Sequence, residues 1–205
     1  MALAAVPRRD DEARARLEVA GQAAAPVILA RDRSIPVPGE LGALLPDRAV
    51  RRGATLTVSG VLGAGTTSLA LELAAAVTAT GEWSGAIDLD GTLGAEAAAA
   101  AGVALERFGV VRRVPPHRWA TVVAALIDGL TLVIAEVPRW VSAGDARRLV
   151  GRARERGSVL VALETCARWP ADAALHLQAT GGVWPGLVTG GGLLAERVRV
   201  ARVAG

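Results

Sequence analysis

The spacing of apolar positions changes period several times along this chain. Thr55-Leu56-Thr57-Val58-Ser59 alternates as a strand does, entered through the turn Arg51-Arg52-Gly53. Leu69, Leu73 and Val77 then fall on one helical face, with Ala70 and Ala74 beside them, and Gly81 ends the run. The same rhythm predicts a strand over 84–89, a helix over 94–101 and a strand over 108–113. It continues with a helix over 118–128 that buries Val122, Leu126 and Ile127. Residues 130–135 are apolar except for Thr131, the kind of strand that is covered on both faces. A helix over 143–156 and a second such strand over 158–163 follow. Strand and helix units of this length, taken in turn, predict an α/β fold: a mainly parallel twisted sheet with helices on both sides. After residue 170 the period becomes two. Ala174-Leu175-His176-Leu177-Gln178 and the run from Arg197 to Val203 read as antiparallel strands at a C-terminal edge, joined through glycine-rich sequence.

The ends of the chain read differently from this core. Residues 1–33 are charged and alanine-rich, and 10–25 can form a helix crowded with Arg14, Arg16 and Glu18, so an N-terminal helical arm is expected there. Residues 34–46 read as a Pro/Gly-rich connection carrying Leu44-Leu45. The core domain is therefore expected to span 34–205. A hydrophobic content of 52% is ample for a core at this length. No apolar stretch is long enough for a membrane span, and the N-terminus lacks an apolar signal core, which predicts a cytoplasmic protein. One cysteine, Cys166, excludes an internal disulfide and a cysteine-rich zinc site. Every basic residue other than histidine is arginine, and the chain has no Lys, Asn or Tyr. Arginine abundance thus reflects a codon bias as much as binding, and a net charge of +3 is weak evidence for nucleic-acid affinity.

Candidate chemistry begins after the first core strand. Gly60-Val61-Leu62-Gly63-Ala64-Gly65-Thr66-Thr67-Ser68 follows the pattern G-x-x-x-x-G-K-[ST], with Thr66 where the lysine belongs. Such a loop cradles phosphates with its backbone amides, and its lysine stabilises charge on the outer phosphates. Threonine cannot supply that cation. Gly60, Gly65, Thr66, Thr67 and Ser68 are read as a vestigial phosphate loop.

The order of elements resembles the RecA family core. The resemblance rests on "RRGATLTVSGVLGAGTTSLALELAAAV" and "GAIDLDGTLGAEAAAAAGVALERFGVV". It covers residues 34 to about 200 and is specific in the first half. It implies a RecA-like P-loop core. It also implies that Asp88 and Asp90 lie where the family carries its catalytic glutamate, that Glu136 replaces the Walker B aspartate, and that Thr165 replaces the glutamine sensing the γ-phosphate. Each position departs from the working residue, so the acids are read as vestigial too. The segments that would carry the family's DNA-binding loops are short. Among RecA-like proteins the chain is most similar to actinobacterial ImuA-type accessory proteins of induced mutagenesis.

That resemblance implies a pseudo-ATPase without a catalytic residue, a cofactor or a metal, since residual nucleotide or Mg²⁺ binding is unexpected without the lysine. It would act as an adaptor in DNA-damage tolerance and translesion synthesis. The implied partners are a Y-family polymerase homologue and associated replication and mutagenesis proteins, with self-association open and no membrane involved. Two alternatives stand beside it. One is an SOS-type cell-division inhibitor. The other is an ATPase with an unorthodox loop whose missing charge comes from an arginine such as Arg52, or from a neighbouring molecule.

The remaining residues are weighed on their own. Arg148, Arg152 and Arg156 form one stripe at helical spacing and are the candidates for weak DNA contact, against the plainer reading of a solvated face. Trp184, with Leu193 and Leu194, is the candidate partner surface, beside a strand edge open to strand addition. Trp140 and Trp169 are either interface anchors or caps of the core. His117 and His176 lack companions at ligand spacing. Cys166 is expected to be a small buried residue.

Overall fold

The computed structural model describes residues 33–183 and 198–204. The expected helix over 10–25 and the partner-surface residues Trp184, Leu193 and Leu194 lie outside them. Ser34 starts a two-stranded antiparallel ribbon, β1 (Ser34–Pro36) with β2 (Ala49–Arg51). Helix α1 (Gly39–Leu44) lies between the two strands. Ile35 faces Val50 across the ribbon, and both are buried. The segment expected to be a connection is therefore partly strand. Pro36 is tolerated because a ribbon end needs no further ladder bond.

The core is a seven-stranded sheet in the order β5-β4-β6-β7-β3-β8-β9. Its strands are β3 (Thr55–Gly60), β4 (Ser84–Asp88), β5 (Phe108–Arg112), β6 (Leu132–Glu136), β7 (Val159–Glu164), β8 (Leu175–Val183) and β9 (Val198–Ala204). All pairings are parallel except β8 with β9. β8 and β9 pair antiparallel, as the alternating C-terminal runs predict, and β9 forms the edge; β8 lies just inside it, parallel to β3, with Leu177 level with Val58. Period-two patterning fixes which side chains face the core, and Leu177 and Ala179 are indeed buried, but it carries no information on strand direction.

Helices cover both faces. On one side α2 (Thr66–Thr78) and α3 (Ala95–Ala100) pack with the ribbon against the sheet. Ala70, Ala74 and Ala76 are buried along α2, and their small side chains let the helix approach β3 closely. On the other side lie α4 (Trp119–Gly129) and α5 (Ala143–Arg156). α4 buries Trp119, Val123 and Ile127, one face at i, i+4, i+8. The expected face through Val122 and Leu126 lies beside it and is half-buried, so Ile127 alone is common to both. α5 starts on Ser142, whose hydroxyl accepts from the Asp145 amide, and ends on Gly157 in the left-handed region at φ 69°.

At the amino ends of the strands, Arg52 grips Glu82 with both terminal nitrogens, and the Thr131 hydroxyl donates to the same carboxylate at 2.6 Å. One carboxylate thus ties together the segments leading into β3, β4 and β6. The Arg52 guanidinium bound to it, helped by the Thr131 hydroxyl, holds the Glu82 carboxyl below its usual range. Among the described residues no helix is long and apolar enough to cross a membrane.

Candidate functional site

The strands of a parallel sheet all deliver their following loops to one edge, so the loops after β3, β4, β6 and β7 converge. The chain leaves β4 through α3 toward β5, and leaves β6 through α5 toward β7, on the opposite face. Between those two strands the connections part. This is the position where open α/β sheets hold ligands.

The loop after β3 has the backbone of a phosphate cradle. Gly63 and Gly65 adopt φ 78° and 96°, conformations that favour glycine. The Ala64 amide closes a turn on the Val61 carbonyl at 2.9 Å, and Ala64 is buried under the loop. Gly65 caps α2 with no side-chain cap bond and no acid in the first turn, leaving the helix amides and dipole directed at the loop mouth. Thr67 and Ser68 are half-buried in that first turn. Gly60 is held by packing: a β-carbon there would lie 2.6 Å from the Ala179 carbonyl oxygen and 2.9 Å from the Thr66 γ-methyl.

That second distance locates Thr66. Its side chain is 9% exposed and turned inward against β3. The position that would carry the cation is occupied by a methyl and a hydroxyl packed beneath the loop. The residues present therefore fit an anion at the backbone and supply no side-chain charge for a triphosphate. Arg52 does not repair this, contrary to the expectation that it could. It precedes β3, at the far end of a six-residue strand, about 17–20 Å from the loop, and it is bound to Glu82.

The acids divide into two roles. Asp88 is buried, and its carboxylate accepts from the Thr92 and Leu93 amides at 3.0 and 3.1 Å and from Arg112 Nε at 3.0 Å. Arg112 also donates to the Leu93 carbonyl. Asp88 thus shapes the loop after β4 through its hydrogen bonds, a role distinct from that of Asp90. Asp90, two residues on, is exposed at the loop mouth.

Glu136 closes β6 and is 8% exposed. Its Oε2 accepts from the Leu89 amide at 3.0 Å, and its Oε1 accepts from the Thr165 hydroxyl at 2.7 Å. In register Glu136 is level with Leu163 on β7, and Leu163 is level with Val58 on β3. Two strand spacings, about 10 Å, therefore separate Glu136 from the strand that feeds the glycine loop. Thr165 lies one residue past the end of β7, between them. Cys166 comes next. It is exposed, not buried as expected, with its Sγ 3.9 Å from Glu136 Oε1. Cys166 is exposed because β7 ends at Glu164, whose carboxylate turns back to accept from the Trp169 amide, so Cys166 lies in the loop beyond the strand. All parallel strands end on one edge, and that signal could have placed Cys166 beside Glu136.

The other candidates scatter. Arg148 pairs with Asp145, while Arg152 and Arg156 both reach Asp128 on α4. The Arg152 hydrogen bond is the main cause holding the Asp128 carboxyl low, and Asp128 in turn raises Arg152. Ser142 and then Arg148 do the same for Asp145. Much of the stripe's charge is thereby met within the fold. Trp169 is buried and caps the core, whereas Trp140, after β6, is 53% exposed at the carboxyl edge. His176 Nδ1 lies 2.8 Å from the Thr57 hydroxyl, a satisfied contact between β8 and β3.

Fold and site together define an α/β protein with a mostly parallel seven-stranded sheet and a glycine loop opposite a buried glutamate at its carboxyl edge. The chain belongs to the MT3502 N-terminal domain family, whose model matches residues 43–171. That match takes in the glycine loop, Asp90, Glu136 and Cys166, and stops before β8 and β9. No match to the chain was found among curated proteins.

Proposed function

We propose that the protein is a catalytically degenerate RecA-like core acting as a protein–protein adaptor in DNA-damage tolerance. Its partner on this reading is a Y-family polymerase homologue within an induced-mutagenesis assembly. The observation that carries the loss of catalysis is the inward, buried Thr66: the glycine loop keeps its backbone shape while the cation of triphosphate chemistry has no counterpart. Charge-assisted contacts are the strong ones in phosphate recognition, so affinity falls with the lysine. The use of Asp88 as a loop-shaping group supports the same reading. The basic stripe on α5, already paired with Asp128 and Asp145, favours weak DNA contact over strong. The C-terminal strands offer a sheet edge for strand addition, with Trp184, Leu193 and Leu194 in the same part of the chain.

Two measurements test this. Calorimetric titration with Mg-ATP is expected to give no binding tighter than about millimolar, and micromolar affinity overturns the pseudo-enzyme. Co-purification of the tagged chain from its native host is expected to recover a polymerase homologue, with Trp184→Ala weakening recovery while circular dichroism stays unchanged. Recovery of a tubulin-like GTPase instead selects the cell-division inhibitor and ends the adaptor reading.

A further inference from the structure

The geometry points to a site for a thiophilic divalent cation formed by Asp90, Glu136 and Cys166. The three residues come from the loops after β4, β6 and β7, and one ligand atom from each lies within 4.8 Å of the other two. Two carboxylates and a sulfur suit zinc or cadmium better than magnesium, which takes oxygen alone. Three protein donors with a water in the fourth position is a common arrangement for a zinc ion with an open coordination site.

The charge balance is an independent reason. Glu136 is buried, and its carboxylate meets only uncharged donors, the Leu89 amide, the Thr165 hydroxyl and the Cys166 thiol. Neither Glu136 nor Asp90 has an ion pair among the described residues, although Asp88 a few residues away has Arg112. A buried carboxylate without a counter-ion, facing a second carboxylate, is costly. A divalent cation between them removes both penalties. On binding, the Cys166 sulfur exchanges its proton for the metal, and the proton leaves to solvent. The hydrogen bonds from the Leu89 amide and the Thr165 hydroxyl already fix the Glu136 carboxylate, the orienting role that outer groups play around metal ligands.

This inference is independent of the adaptor reading, because its test involves neither a partner nor a nucleotide. The full-length chain, stripped with chelator and desalted, is titrated with Co²⁺ and then Zn²⁺. The expected result is one ion per chain, a near-ultraviolet thiolate-to-cobalt band, and displacement of Co²⁺ by Zn²⁺ but not by excess Mg²⁺. Cys166→Ser should abolish the band and weaken Zn²⁺ binding at least about tenfold, and Asp90→Asn should weaken it at least about tenfold. Both side chains are exposed, so neither change threatens the fold, and circular dichroism checks this. Absence of the thiolate band in the unmodified chain overturns the site. So does a Zn²⁺ affinity that either substitution leaves intact, which would place the ion elsewhere, for instance on His117 or His176.

Discussion

Replacing Gly60 by alanine isolates what the glycine loop needs from packing and what it needs from a ligand. The added methyl would lie 2.6 Å from the Ala179 carbonyl oxygen, 2.9 Å from the Thr66 γ-methyl and 3.1 Å from the Ala179 β-carbon. Carbon contacts are comfortable only near 3.5–4.0 Å. Two of these neighbours belong to β8, whose Ala179 is paired with Gly60 in the ladder, so they cannot swing aside as a long side chain would. Relief requires β3 and β8 to separate locally, and overpacking of this kind costs about 2–3 kcal/mol. With a urea slope of about 2 kcal/mol/M for a domain of this size, the midpoint should fall by about 1–1.5 M. Two other glycines serve as references. Gly63→Ala meets no atom within 4 Å but must hold φ 78°, a strain of about 1–2 kcal/mol. Gly109→Ala on the edge strand β5 meets no atom within 4 Å and has no such φ, so it should be neutral to within about 0.5 kcal/mol. The expected order of cost is Gly60, Gly63, Gly109. A Gly60→Ala protein as stable as Gly109→Ala would refute the packing argument and leave a ligand as the reason for the glycine.

Three further outcomes are expected. Glu82 has a carboxyl lowered chiefly by its bond to Arg52, so its contribution is present above the unfolded value near 4.5 and is lost as pH falls through the lower folded value; Glu82→Gln should flatten that acid limb in urea titrations below pH 5 and leave an otherwise parallel curve. Arg152→Ala should raise the Asp128 carboxyl toward its ordinary range in an NMR titration, and by more than Arg156→Ala does, because the Arg152 hydrogen bond is the larger cause; equal shifts would contradict the geometry. Trp119→Ala removes a side chain only 1% exposed from the sheet face under α4 and should cost about 3–5 kcal/mol in urea unfolding, with a loss below 1 kcal/mol showing that α4 does not dock as described.

Much of the architecture was legible because local patterns and tertiary demands agree. The α5 boundaries follow from Ser142 and Gly157, whose cap roles depend on the chain alone, and the buried β6 and β7 strands are apolar up to their last residues, Glu136 and Glu164. What could not be read is non-local. The direction of β8 relative to β3 depends on which neighbour it pairs with, and a period-two pattern is identical for either direction. The ribbon of β1 and β2 is made by pairing across α1, with no repeating pattern in either three-residue strand. Asp88 and Asp90 look equivalent in sequence, yet Arg112 from the neighbouring edge strand captures one and leaves the other at the loop mouth. The arginine stripe on α5 was legible as a stripe, but Asp128, which meets two of its members, comes from another helix.

The same contrast bears on how the glycine loop should be interpreted. Gly60 is demanded by Ala179, Gly63 and Gly65 by their backbone angles, and Ala64 by its buried place under the loop. These requirements hold whether or not a phosphate ever binds. A chain that stopped using nucleotide would still be penalised for changing any of them, while a lysine at position 66 would lose the interaction that favoured it. Packing therefore accounts for most of the glycine pattern with no nucleotide bound, and the pattern by itself is not evidence of nucleotide use. The informative position is 66, where a phosphate loop needs a cation and this chain carries a buried threonine packed against Gly60. Across the edge, Glu136 is different again: it is buried with hydrogen bonds from uncharged groups alone, and no pattern of packing accounts for a carboxylate there, which is why the proposed cation is sought at that corner.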